Sequence, residues 1–122
     1  MQIGSDIIEI ARIKNFVENY KEFCKGRVFS EEEWKYCFSK ANPYASFAVR
    51  FAAKEAVAKA LGTGFGQYLK WSSIEVLNDD KGAPYVTLDE NGQDLLKNLH
   101  AKTVKISLSH SRDFALAVAI IE

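Results

Sequence analysis

Glu55 and Lys59 stand four residues apart in the stretch RFAAKEAVAKALGTGFG, residues 50–66. The helical part of this stretch is alanine-rich, with Val57 its one β-branched residue, and it runs into Gly62, Gly64 and Gly66. At 100° per residue the carboxylate and the ammonium lie about 40° apart on one helix face, a face they share with Ala48 and Ala52. On an ordinary surface helix such a pair contributes roughly 0.2–0.5 kcal/mol. Here small apolar residues surround it and a glycine-rich turn follows, so the expectation is a shallow groove holding two charges. Arg50 and Lys54 repeat the four-residue spacing on a different flank. Asp6 is a second unusual carboxylate, set in the apolar run IGSDII. A carboxylate in such a run needs a partner or a cation. Two carboxylates from separate segments, with few His or Cys nearby, suit a hard, oxygen-seeking ion such as Mg2+, which keeps several waters and is shared with substrate phosphates.

Two other features could meet phosphate. Closely spaced glycines let backbone N–H groups approach an anion. The order here matches neither the dinucleotide fingerprint nor the P-loop, so Gly62–Gly66 by itself reads as a helix cap and a turn. His110, in SLSHS, closes an alternating strand between two serines. From there it could contact a phosphate, or simply decorate a strand end. His100, late in a helix, reads as helix-end decoration.

These residues need elements to hold them. QIGSDII (2–8) reads as a strand, and ARIKNFVENY (11–20) as a helix, with Ile13, Phe16, Val17 and Tyr20 at helical spacing. Ser30 and Glu33 form a capping-box pattern ahead of a helix over about 31–39. Asn42-Pro43 starts the long helix, which continues to Leu61 and stops at Gly62. WSSIEVLN (71–78) and PYVTL (84–88) flank a turn and read as a hairpin. ENGQDLLKNL (90–99) suits a short helix. TVKISLSH and FALAVAII (114–121) read as an antiparallel pair, the latter apolar on both sides as in a strand covered on both faces. The expected class is α+β.

Composition limits what the chain can do. Its 122 residues suffice for one domain, 48% of them hydrophobic, with sixteen basic residues balancing sixteen acidic ones. That balance gives no sign of nucleic acid. The longest apolar run falls far short of the ~20 residues that span a bilayer, and the N-terminal residues do not read as a signal peptide. The expectation is a cytoplasmic protein with no membrane partner. Cys24 and Cys37 lack metal-ligand spacing and read as reduced structural thiols.

Together the segments resemble the holo-acyl-carrier-protein synthases, the short-chain class of 4′-phosphopantetheinyl transferases. The resemblance covers essentially the whole chain. It is carried by IGSDIIEIARI (3–13), FSEEE (29–33), RFAAKEAVAKALGTGFG, WSSIEV (71–76), KGAPYV (81–86) and SLSHSRDFALAVAII (107–121). The most specific blocks are G-x-D-x-x-x-x-x-R at Gly4, Asp6 and Arg12, and F-x-x-K-E-A-x-x-K-A from Phe51 to Ala60.

The resemblance implies an antiparallel sheet packed against a long helix. It makes residues 1–122 one transferase domain, the protomer of a homotrimer with its sites between subunits. The implied reaction moves the phosphopantetheine arm of coenzyme A to a serine of apo acyl carrier protein, in fatty acid biosynthesis. Asp6 and Glu55 would hold Mg2+, and Glu55 or a metal-bound water would accept the serine proton. Lys59 would neutralise the transferring phosphoryl group. Arg50 and His110 would meet the 3′-phosphate of coenzyme A, with Lys54, Gly62, Gly64 and Gly66 near the nucleotide. Arg12 would face the acidic carrier protein, helped by the basic surplus of segment 12–27. The competing readings are a non-catalytic coenzyme A-binding module and a trimeric interaction protein.

Overall fold

The computed structural model describes residues 1–122. Its main elements are β1 (Gln2–Glu9), α1 (Ile10–Asn19), a short α2 (Lys21–Phe23), α3 (Glu31–Phe38), α4 (Pro43–Leu61), β2 (Ile74–Asn78), β3 (Pro84–Leu88), α5 (Glu90–Asn98), β4 (Val104–His110) and β5 (Phe114–Ile121). This is the expected α+β arrangement. The helix ends follow their local chemistry. Asn42 caps α4 by accepting the Ala45 N–H at 3.2 Å, and Gly62 ends it in the left-handed region at φ 87°. At α3, Ser30 Oγ accepts the Glu33 N–H at 3.1 Å, while Glu33 Oε1 accepts the Ser30 N–H at 2.9 Å.

Strands β1, β5 and β4 form one antiparallel sheet in that order, and β2–β3 form a separate hairpin. Helix α4 lies against the first sheet through small residues: Ala52, Ala56 and Ala60 share a core with Ala117 and Ala119. Gly4 sets how closely they approach. A Cβ there would overlap the Ala56 carbonyl oxygen and stand 2.8 Å from the Ala60 nitrogen. Only glycine therefore allows β1 to rest on the helix backbone. A second core, including Val17, Phe29, Trp34 and Phe47, ties α1 and α3 to the first half of α4. Each such large side chain contributes about 1.5–3 kcal/mol on burial.

Three expectations change. Ala48 and Ala52 do not floor a groove, because both are fully buried in the core. The 71–78 strand begins only at Ile74, after a tight helical turn at Trp71–Ser73. Strand β5 is covered on one face only. Ala115, Ala117, Ala119 and Ile121 are buried, whereas Phe114 and Leu116 remain 46% and 42% exposed. On β1, Ile7 lies opposite Leu116 and is 64% exposed; Ile3, opposite Ile120, is 68% exposed. The sheet thus has an open, apolar outer face. Both cysteines are buried, which pushes each thiol up to about 11. No helix is long and apolar enough to cross a membrane.

Candidate active site

Alternation along β1 puts Gly4 and Asp6 on the same face. The close seating of Gly4 on α4 therefore delivers Asp6 to the helix beside Glu55 and Lys59. Lys59 Nζ donates to the Ser5 carbonyl at 2.9 Å and to Asp6 Oδ1 at 3.2 Å. It reaches across to the strand instead of pairing with Glu55 along its own helix. Asp6 and Glu55 line one cleft of about 370 Å³, together with Arg12, Phe16 and Phe51. Partial burial raises the proton affinity of Glu55, the negative charge of Asp6 raises it further, and Lys59 opposes both. These are two hard oxygen donors that repel each other, both only partly buried, so water can complete a coordination shell. The donor set fits Mg2+.

Arg50 leaves α4 about 140° round from Glu55. Its guanidinium donates to Ser46 Oγ at 2.9 Å, to the Ser46 carbonyl at 3.3 Å and to Asn78 Oδ1, and lies 4.3 Å from the centre of the Tyr36 ring. Arg50 and His110 line a second cavity, of about 480 Å³. The two expected 3′-phosphate contacts are thus brought together, in a cavity separate from the Asp6–Glu55 cleft.

Lys54 is corrected. It is fully buried, and its ammonium donates to Glu33 Oε1 at 2.9 Å, to the Trp71 carbonyl at 3.3 Å and to the Ile74 carbonyl. An ammonium has three donors, so none is left for a nucleotide. Burial lowers its pKa, and the attraction of Glu33 works against that. Helical spacing missed this because the partner comes from α3, twenty-one positions away. The glycine stretch forms the helix cap and turn that its spacing suggested. The Gly62 N–H donates to Ala58 and Lys59 carbonyls, Gly64 to Ala58 and Gly66 to Leu69. These N–H groups close the helix and the turn. Gly66 lines a further hollow with Phe65 and Trp71, whose rings stack at 4.0 Å.

Sequence reasoning also missed Tyr36, Ser46 and Asn78, which seat Arg50. Only Ser46, four residues before Arg50 on the same helix, left a signal in the spacing. Glu33 showed itself as a cap but not as the counter-ion of Lys54; its Oε2 also accepts the Val76 N–H at 3.0 Å.

The family model for the 4′-phosphopantetheinyl transferase superfamily matches residues 2–119. The chain belongs to that superfamily. It is a phosphopantetheinyl transferase enzyme, as its motifs implied. A holo-[acyl-carrier-protein] synthase of Chlamydia trachomatis is 53% identical over 120 residues, 98% of each chain. The Helicobacter pylori holo-[acyl-carrier-protein] synthase, solved in complex with coenzyme A, is 34% identical with a TM-score of 0.85, over 98% of this chain and 99% of that one. The Bacillus anthracis holo-(acyl-carrier-protein) synthase, in complex with CoA (3′,5′-ADP), is also 34% identical with a TM-score of 0.79, over 98% and 94%. The transferase fold expected from the resemblance is the fold observed.

Proposed function

We propose that this transferase moves the 4′-phosphopantetheine arm of coenzyme A to a serine of apo acyl carrier protein, in the cytoplasm, for fatty acid biosynthesis. The observation that carries this reading is the meeting of Asp6, Glu55 and Arg12 in one cleft, with Lys59 bound to Asp6. In the reaction the serine oxygen bonds to the phosphorus next to pantetheine. The bond from that phosphorus to the bridging oxygen breaks, and adenosine 3′,5′-bisphosphate leaves with the electron pair. Glu55 or a metal-bound water would accept the serine proton. Lys59 offsets charge on the transferring group, while Arg50 and His110 hold the 3′-phosphate. Asp6 and Glu55 would hold Mg2+. When bound, the ion polarises the phosphoryl oxygens and stabilises the charge that develops on them. Arg12 and the basic 12–27 segment meet the acidic carrier protein.

Residues 1–122 act as one domain of a homotrimer. The carboxylate cleft and the cation-lined cavity lie on different flanks of α4, and the sheet leaves an apolar face open. A closed ring of three covers that face and sets the cleft of one protomer beside the cavity of the next. Light scattering should report three chains; a monomer across micromolar concentrations would count against the shared site. The decisive test incubates apo acyl carrier protein with the enzyme, coenzyme A and Mg2+, followed by mass spectrometry. One added phosphopantetheine is expected. An unchanged carrier mass would sink the proposal.

A further inference from the structure

Phe51 supplies part of the apolar wall of the cleft that holds Asp6 and Glu55. It stands one turn before Glu55 on α4, about 40° away round the helix. Side chains on a helix lean toward its N-terminus, so Glu55 reaches back over the turn that carries Phe51. The tilt of the Phe51 ring therefore governs which rotamers stay open to the Glu55 carboxylate. Two other rings fix that tilt. Phe16 of α1 meets Phe51 edge-on, with centroids 6.2 Å apart and planes at 78°. Trp71 lies flat against it, at 4.6 Å and 24°. Phe65 stacks on Trp71 in turn, at 4.0 Å and 20°. The backbone at Trp71 is a tight turn: Ser73 Oγ accepts the Lys70 N–H at 3.0 Å, and the Ser73 N–H donates to the Lys70 carbonyl at 2.9 Å. Trp71 and Phe65 do not line the carboxylate cleft; both line the separate hollow beside it.

On the reading that the cleft of Asp6 and Glu55 is the reaction site, we infer that Trp71 is a positioning residue for the transfer. It lies outside the cleft and acts by holding the ring of Phe51, which in turn confines the Glu55 carboxylate. Phe65 backs Trp71 and so belongs to the same column of rings. On the same reading the nucleotide end of coenzyme A sits at Arg50 and His110, away from this column. Loss of the stack should therefore appear in the chemical step and not in the binding of coenzyme A.

The test measures steady-state transfer by the full-length enzyme with apo acyl carrier protein, coenzyme A and Mg2+, alongside urea unfolding to count folded molecules. Trp71→Leu should lower kcat per folded molecule by about three- to tenfold, as for loss of one stacked pair, and leave the KM for coenzyme A unchanged. Trp71→Phe, which keeps a flat ring, should restore most of the rate. Phe51→Leu should match Trp71→Leu, and the double variant should be no worse than either, because residues that act through one contact are non-additive. Phe65→Leu, at a half-buried loop position, should fall the same way by a smaller factor, and it decides the matter if Trp71→Leu does not fold. An unchanged kcat in Trp71→Leu or Phe65→Leu, a double-variant loss equal to the product of the single losses, or a loss that Trp71→Phe fails to recover would overturn the role of Trp71 while leaving the cleft assignment standing. Asp6→Asn, run in the same assay, tests that assignment: transfer at the parent rate would overturn the cleft as the reaction site.

Discussion

Helix α4 holds two lysines, five residues apart, each facing a carboxylate from another element. Lys54 meets Glu33 of α3 at 2.9 Å, with neither side chain exposed; Lys59 meets Asp6 of β1 at 3.2 Å, with the side chains 54% and 18% exposed. The inner pair is saturated. Every proton of the Lys54 ammonium is donated, and both Glu33 oxygens accept a bond. The outer pair has spare capacity: Lys59 uses two of its donors, and Asp6 Oδ2 accepts nothing within the chain. Glu55 sits nearby, with no bond of its own to Lys59. The same pairing of a lysine with a carboxylate thus builds a structural joint where all its bonding is used internally, and a reactive site where some of it is left for a ligand.

The largest effect should come from the outer site. Asp6→Asn and Glu55→Gln each keep shape and remove one charge, and each should lower transfer by on the order of 10² or more, with the fold intact. The double variant should be little worse than either, since residues acting as a unit are non-additive. Without metal, the melting temperature of Glu55→Gln should hold or rise, because two like charges no longer repel, whereas Asp6→Asn also gives up the ion pair with Lys59. Transfer assays over a Mg2+ titration, run beside melting curves, measure this. Near wild-type transfer by Glu55→Gln at low Mg2+ would remove Glu55 from the ion site.

The inner pair should fail differently. Lys54→Met leaves Glu33 buried without its cation and should cost about 3–5 kcal/mol of stability, with Lys54→Met/Glu33→Leu recovering part of the loss. Urea unfolding reads this out, and transfer per folded molecule should change little. If Lys54→Met were as stable as the parent but inactive, the division between joint and site would collapse. The smallest effect concerns Arg12, which shares the cleft with both carboxylates. Arg12→Gln should slow carrier-protein association by about tenfold and flatten its salt dependence, with a much smaller change in coenzyme A affinity. Equal losses for both ligands would make Arg12 part of the cleft structure alone.

What was legible in the sequence follows the range of each interaction. The caps at Ser30, Asn42 and Gly62 are decided within four residues, and the structure has each where it was expected. The Gly4–Asp6 spacing was readable as a motif, yet the reason for the glycine lies in Ala56 and Ala60, more than fifty positions away. Helical spacing put Lys54 on a flank with Arg50, but a helical wheel shows which flank a side chain leaves from and not what covers it, so the burial of Lys54 against Glu33 had no local sign. For β5, unbroken apolarity was read as cover on both faces, whereas in the protomer its Phe114 and Leu116 face outward. The gathering of Arg50 and His110 depends on strand register and had no local sign at all.

The Gly4 contact also bears on how firmly the site grips a ligand. Backbone rests on backbone there, so the gap between β1 and α4 is set by the main chain and not by side-chain choice. Asp6 lies two residues from that contact, and Glu55 is next to Ala56. Each carboxylate has only its own rotamer left to select. The site is preorganised, with most of the ordering entropy already lost on folding instead of on binding. Linkage then runs both ways: a ligand that bridges Asp6 and Glu55 binds only the folded chain, and so clamps strand and helix together and raises the melting temperature with its own concentration.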